Sequence, residues 1–538
     1  MGETIGAVIL GSDETHLTNH QGDKTCHAVY LSCGNIRKEV RNKGNANAWR
    51  MIGQIPSVTF KNEALQGVLY ARLYHVCMDI ILENLKKASR KAVEMIDSSG
   101  QKRDVRTVLF SHIADLPEQL MISCTAKNQA PSSFAQQHQF GDSTAQPLRT
   151  GAGTLRALEY LKETFPPDER LSKNFLLACK TAGLNGVLEP YWRDWQFADP
   201  CEFLTPDSLH QWHILFKDHL LSWARKLIGD AEFDKRLAAI QHRIGFRHFP
   251  DGITKFKQHT GRETRDLERI FLGVIAGHPQ ITTSAMRAFR SFLDFVYLGQ
   301  YPRHTSRTLR AMDNALTTFH ESKCAFVPVR DGPRQQGEFR IPKLELMHHV
   351  TRLIHLLGSA DQFTSDTTEK LHILMAKVAY THTNRKQFIP QMCDFLNRLE
   401  RLLQFERFLV WRGTDTTLLL RRLAKCLREE WTKMCTVDDF KIDIDPSPFE
   451  DEEDLEYISK GARPGFLPVK SDFHKVSATN DTTAFSLTKT PTNSYRSLQE
   501  FCRAYSFHDL SHSFSKFWKD FRLANNSGGL VLPPFNSE

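Results

Sequence analysis

Ala7-Val8-Ile9-Leu10-Gly11-Ser12-Asp13 is a short apolar run that meets a turn-forming triplet and ends on a carboxylate. Such a run, bounded by Gly, Ser and Asp, predicts a β-strand with a turn after it. His27-Ala28-Val29-Tyr30-Leu31-Ser32 and Trp49-Arg50-Met51-Ile52-Gly53 have the same look and predict neighbouring strands. A helix is expected from about Asn62 to Met95, where Leu65, Val68, Leu69, Leu73, Val76 and Ile80 recur at helical spacing. Its polar end carries Lys86, Lys87, Arg90 and Lys91. Another strand is expected through Arg106-Thr107-Val108-Leu109-Phe110, ending before Asp115. Strands followed by a helix and a further strand make an α/β or α+β beginning.

Further on, the pattern becomes helical. Residues 127–150 are rich in Gln, Ser and Ala and predict a loop. Helices are expected at Ser208–Ile228, Glu263–Gly277, Thr283–Tyr297, Thr305–Glu321 and Leu344–Leu357, then from Thr368 to about Trp431. Asp443–Glu456 gathers eight acidic residues, and Pro446, Pro448 and Pro464 stand in or near it, which predicts a linker. A last helix is expected over Leu498–Phe521. The division that follows is 1–126, a loop at 127–150, a helical unit at 151–360, a return to the first unit at 361–435, a linker at 436–470 and a small segment at 471–538.

A chain of 538 residues is too long for one ordinary core and predicts about two to four domains. With 41% hydrophobic and 25% charged residues, most of it should fold as a globular protein. The net charge of +8 is understated by the acidic stretch, so the remainder is clearly basic and suits a polyanionic partner. Eleven cysteines with no C-x-x-C pair, no secretory signal and no membrane-length apolar run predict a reducing compartment and free thiols. No P-loop, G-x-G-x-x-G, H-E-x-x-H or G-x-S-x-G motif occurs in a fitting context, which argues against nucleotide-driven motors, zincin proteases and α/β-hydrolases.

Three carboxylates stand where metal chemistry could use them. Asp13 follows the first strand, Asp115 follows a later one, and Glu369 opens a helix. Two strand-end acids and one helical acid can hold the pair of hard divalent cations used in phosphoryl transfer. Each also has a plain structural role open to it: Asp115 as a helix cap before Pro117 and Glu118, Asp366 with Glu369 at the same cap spacing, Asp13 as a turn residue. His372 shares a helix face with Glu369, and Ala376 and Ala379 continue that face. The densest polar-aromatic group is Thr205-Pro206-Asp207-Ser208-Leu209-His210-Gln211-Trp212-His213, expected to be a helix capped near Thr205 with Asp207 and His210 on one face. That pair could bind a metal or fix each other's orientation; equally, the segment could be a buried polar network joining two helices. Trp192, Trp195 and Trp212 are expected in the core. Arg262, Arg265, Arg385 and Lys386 are candidates for phosphate contact, although a solvated helix face explains them equally well.

Several phrases then form an ordered set: Gly11–Thr18, Gly22-Asp23-Lys24, Ile113–Gln119, Ala182–Asp194, Thr205–His219, Gly245–Phe249 leading to Gln258–Glu263, Ile341–Met347 and Thr368–Lys377. In this order, over roughly residues 5–410, the chain resembles the transposases of Plavaka-type fungal DNA transposons, related to the CACTA group of DDE transposases. The resemblance implies an α/β, ribonuclease-H-like core split by a large all-α insertion, with a C-terminal extension. It implies that Asp13, Asp115 and Glu369 bind Mg²⁺ (or Mn²⁺) and catalyse strand cleavage and strand transfer. It implies that Asp207 and His210 are the family's D-x-x-H signature, and that His372 is the histidine that follows the glutamate. The implied partner is double-stranded DNA, both transposon ends and target, bound by a homo-oligomer in the nucleus, with no membrane and no nucleotide cofactor.

Two departures stand out. Relatives carry a C-x-x-C pair shortly after the second acid; here that place reads Ala130-Pro131-Ser132-Ser133, so no zinc site is expected. Relatives also extend N-terminally into a DNA-binding region, whereas this chain starts shortly before Asp13, as expected of a truncated, decayed or domesticated copy. The alternative function is thus a catalytically inactive, transposase-derived DNA-binding or scaffold protein, and a third is a nuclease that cuts without joining.

Overall fold

β1 (Thr4–His16) is longer than its apolar run, and its middle, Val8 to Ser12, is buried on both faces. Val8 and Leu10 face one way, with Tyr74, Met78 and Leu82; Ile9 faces the other, with Ala28, Tyr30, Trp49 and Leu371. The expected turn at Gly11-Ser12-Asp13 does not form. Those residues stay extended because β2 (Thr25–Cys33) pairs with them through Gly11↔Tyr30, Ser12↔Val29 and Asp13↔Ala28, on to His16↔Thr25. A continuous ladder outweighs a local turn preference. Asp13 is therefore a strand residue.

The computed structural model describes residues 2–18, 24–43, 46–97, 100–241, 247–254, 260–329 and 339–412, with the strand pairs 476–477 and 484–485. The linker expected at 436–470, the helix at Leu498–Phe521 and the end of the helical block beyond 412 lie outside the described residues. So do Gly22, Asp23, Gly245, Phe246, Gln258 and His259 of the quoted phrases.

The main sheet is mixed, with five strands in the order β3-β2-β1-β5-β4. β1, β2 and β3 (Arg50–Ile55) form an antiparallel meander. β5 (Lys102–Ile113) returns parallel to β1 after the helix α1 (Gln66–Arg90), which covers one face. β4 (Val93–Ile96) makes an exposed hairpin with β5 at the edge. The helix predicted to reach Met95 thus ends at Arg90, and its tail is a strand. The buried face of α1 also differs from the expected stripe. Ala71, Tyr74, His75, Met78 and Leu82 point inward, while Val76 and Ile80 are exposed. Near the C-terminal end of β5, His112 forms a parallel bridge to Leu204.

The opposite face of the sheet is covered by residues 365–381 and the helix Phe388–Trp411. Here Ala376 and Ala379 are fully buried against the sheet, as their small size suggested. Between the two halves the chain is helical, at 208–228, Gly261–Ile275, Thr283–Gly299 and Ser306–Ser322. These helices share the largest core, where Phe216, Phe271, Phe289 and Phe326 meet edge-on or tilted. Leu344–Leu357 was expected as one helix and is two, Pro342–Met347 and Val350–Leu357, broken at His348-His349. Trp192, Trp195 and Trp212 are core residues. Among the described residues, eight cysteines are free thiols, and no helix is long and apolar enough to cross a membrane.

Candidate functional site

Asp13 projects from β1 on the face away from α1. Asp115 is the N-cap of α2 (Leu116–Ile122), just beyond β5, and its Oδ1 accepts the Glu118 amide at 2.9 Å. Because β5 is parallel to β1, both acids emerge at the same end of neighbouring strands. Glu369 lies in the middle of α3 (Ser365–Leu371), whose cap is Thr364 rather than the expected Asp366. Gly11 lets α3 approach: a Cβ there would stand 2.6 Å from Thr368 Cγ2, the residue before Glu369.

Asp13 lies within electrostatic reach of both Asp115 and Glu369, and so does His210. Burial pushes Asp115 up to about 6; the Glu118 amide opposes this, while the charges of Glu118 and Asp13 add to it. Glu369 keeps about half its side-chain surface, 49%, open. Desolvation in the cleft is still the largest cause lifting it to about 7, opposed by His210 and reinforced by Asp366, Asp207 and Asp13. Among the described residues, no three His, Cys, Asp or Glu side chains are close enough together to hold a metal ion as they stand.

Two histidines serve these acids. His372 Nε2 donates to Asp13 Oδ2 at 3.4 Å, and its Nδ1 meets the Tyr30 hydroxyl at 3.1 Å. His210 Nε2 lies 3.4 Å from Glu369 Oε1, and its Nδ1 donates to Asp207 Oδ2 at 2.6 Å. Burial would lower the His210 pKa. The hydrogen bond and charge of Asp207 more than offset it, with Glu369 and Asp115 adding, and His210 is held up at about 9. A protonated His210 therefore stands beside two of the acids at neutral pH.

Asp207 is fully buried and has every lone pair used. It, not Thr205, caps the helix, accepting from the amides of Leu209 and His210. It also accepts from the amide and hydroxyl of Ser365, at the start of α3. Burial works against its charge, but His210 and Ser365 hold its pKa below the usual carboxylate value. The segment makes two different polar contacts, one turn apart. Asp207 and His210 face the acids, whereas His213 makes a buried pair with Glu268 at 2.8 Å that ties two helices together. The turns Ser208–His213 and His372–Lys377 are both of the wide π type, a feature concentrated at functional sites.

Under Asp13 and Asp115, on the α1 face, runs a buried polar chain that the sequence did not reveal. Glu118 accepts from His27 Nε2 at 3.1 Å and from the Ser12 hydroxyl. Ser12 in turn meets His112 Nε2 at 2.7 Å, and His112 Nδ1 meets the Tyr191 hydroxyl at 2.7 Å. Burial opposes the Glu118 charge, but His27, Ser12 and His112 bring its pKa down to about 2. Burial acts against a charged His27 too, and Glu118 reverses that and raises it. Glu118 was readable only as a capping position; the partners come from β1, β2 and β5, which local spacing does not connect. Ser365 and Tyr30 were missed for the same reason.

The basic candidates divide. Arg265 pairs with Asp366 beside Glu369, so it is engaged within the protein near the acids. Arg262, Arg385 and Lys386 are exposed, the last two in the turn before Phe388–Trp411. Where relatives would have a C-x-x-C pair, Ala130 is buried and Ser133 donates to buried Glu345 at 2.7 Å, which also accepts from His349 at 3.1 Å.

Residues 1–224 match the family model described as Plavaka transposase, which bears out the resemblance read from the sequence. The matched part contains Asp13, Asp115, Asp207 and His210; Glu369 and His372 lie beyond it. No curated protein matches the chain.

Proposed function

We propose that this chain, with the Plavaka transposase match over its first 224 residues as premise, is a DDE-type DNA transposase that cuts and joins DNA strands at transposon ends. The observation that carries the reading is that Asp13 and Asp115 emerge at the same end of neighbouring parallel strands, where His372, three residues after Glu369, meets Asp13 and His210 meets Glu369. The meander β1-β2-β3, followed by a helix and a strand parallel to β1, supports a ribonuclease-H-like core, and the helices between β5 and α3 are its insertion.

The residues fit a pair of hard divalent cations. All three are oxygen donors, and Asp115 and Glu369 are raised mainly because burial strips water from their charge, with neighbouring carboxylates adding, a cost that a bound cation would relieve. Asp13, Asp115 and Glu369 would hold Mg²⁺ or Mn²⁺, drawing closer than they stand here. When bound, such ions polarise the phosphodiester and lower the pKa of the attacking water or hydroxyl.

The rest of the work falls to the chain. His372 fixes the Asp13 carboxylate from one side, with Tyr30 fixing the imidazole. Asp207 holds His210 protonated, so His210 offers a proton and a positive charge beside Glu369. The buried Glu118 chain sets the two strands that carry the first two acids. Attack is then in line, and no covalent intermediate on the protein is needed. The protein supplies position and charge neutralisation.

The test is Mg²⁺-dependent cleavage of a duplex bearing the element's own terminal sequence. Asp13→Ala is expected to abolish cleavage and leave DNA binding largely intact. Cleavage at the wild-type rate by that variant would overturn the assignment.

A further inference from the structure

Two lysines border the acids and have no hydrogen-bond or ion-pair partner among the described residues. Lys343 lies on Pro342–Met347, a short helix packed against the turn that carries Asp207 and His210. It is half-buried, and the charges acting on it include Asp218, Asp207 and Asp115. Lys377 ends the wide turn that follows α3, is also half-buried, and feels the charge of Glu369.

The wide turn explains the second placement. In a regular α-helix a residue eight positions on is rotated by roughly 80° from the first. A π turn absorbs one residue, which brings Lys377 back to nearly the face of Glu369. Lys343 thus stands within reach of Asp115, and Lys377 within reach of Glu369.

Removing part of an ammonium's hydration without a partner is unfavourable. Elsewhere in this chain comparable lysines are paired: Lys86 with Asp79 and Asp194, Lys38 with Asp361, Lys162 with Glu189. At the cleft the two lysines stay outside ion-pair distance of the acids, and burial lowers the pKa of each. A direct ion-pair partner for either lysine is absent among the described residues, and an anion entering between them and the carboxylates would supply one.

We propose that Lys343 and Lys377 are phosphate-contacting residues that seat the DNA backbone on either side of the three acids. The proposal rests on the reading of this cleft as a strand-cutting site and names the groups that position its substrate. A row of carboxylates repels a phosphodiester. Two flanking ammonium groups offset that repulsion and fix where the strand lies, without reading its sequence.

The experiment is fluorescence anisotropy of a labelled duplex of arbitrary sequence binding to the full chain in Ca²⁺, repeated across a salt series. Each of Lys343→Gln and Lys377→Gln is expected to reduce the slope of log affinity against log salt by about 0.9, with Lys→Arg at the same position restoring it. Thermal midpoints within error of wild type, measured on the same samples, separate this from misfolding, and the Arg variants serve where a Gln variant is unstable. Unchanged slopes in both Gln variants, with wild-type binding and an inactive Asp13→Ala variant, would overturn the lysine proposal and leave the site reading intact. A wild-type chain that neither binds nor cuts duplex DNA would overturn both.

Discussion

His372 Nε2 reaches Asp13 Oδ2 at 3.4 Å across 359 positions of sequence. The bond joins the first strand to the last described part of the fold, and the Tyr30 hydroxyl at 3.1 Å fixes the other ring nitrogen. Groups that hold a metal-binding carboxylate from behind typically change metal affinity or activity by about 10–100-fold. His372→Ala is therefore expected to raise the Mg²⁺ concentration needed for half-maximal cleavage by about 10–100-fold. Tyr30→Phe should move it the same way and by less. A metal titration of the cleavage rate decides this, and an unchanged midpoint in His372→Ala would remove the role.

Asp207 makes a different prediction, about stability. It is buried and bound to His210, to two amides of its own helix and to Ser365. Removing one member of a buried charged pair commonly costs about 3–5 kcal/mol, because the other charge is left unpaired. Asp207→Ala should lose about that much in urea unfolding, whereas His210→Gln, which leaves Asp207 its four other donors, should lose distinctly less. Equal losses would mean that Asp207 is not the joint between the two segments.

The pH response should be set in part by two buried neutral histidines. His75 donates from Nε2 to the Met121 carbonyl at 3.0 Å and accepts the Tyr191 amide on Nδ1 at 3.1 Å, so a second proton would break a bond. Burial brings the pKa of His75 and of His112 down from 6.5 to about 4. Between those values these two histidines hold fewer protons in the folded chain than in the unfolded one, so their contribution to stability falls as pH drops from 6.5 towards 4. One such histidine contributes at most about 1.4 kcal/mol per pH unit. Asp115 and Glu369, raised to about 6 and about 7, act the opposite way over the same window, so the test is a difference: relative to wild type, the urea midpoint of His75→Gln should lose less, or gain more, as pH drops from 6.5 towards 4. A difference that stays constant or runs the other way would refute this.

Gly11 provides a steric test. Alanine there would press on Thr368 and push α3, with Glu369, away from Asp13. Gly11→Ala should cost about 1–3 kcal/mol and most of the cleavage activity. Adding Thr368→Ser removes the opposing methyl while keeping the hydroxyl that donates to the Ser365 carbonyl, and should restore both. Without such rescue, the close approach is not what places Glu369.

What the sequence made legible was local chemistry. The strands that lead to Asp13 and Asp115, the helix carrying Glu369, and the pair Asp207 and His210 all follow from short runs and three-residue spacings, whereas the continuation of the first strand through Asp13 to His16 does not. Choices among neighbours were harder. Thr205 and Asp207 are both good caps, and so are Thr364 and Asp366, so composition cannot choose between them. The buried stripe of α1 was misplaced because its inward residues include Tyr74 and His75, which bury themselves through hydrogen bonds rather than by apolarity. The chain Ser12–Glu118–His27–His112 was out of reach because its members come from four elements and meet only once the sheet has formed.

The long separation between Asp13 and its partners also has a consequence during synthesis. At about 5–20 residues per second, the ribosome needs roughly 20–70 s to pass from the first acid to His372. On the function proposed here, a half-made polypeptide could grip nucleic acid without being able to nick it. The order of the gene would then act as a delay fuse, arming the molecule only when nearly all its described length has emerged.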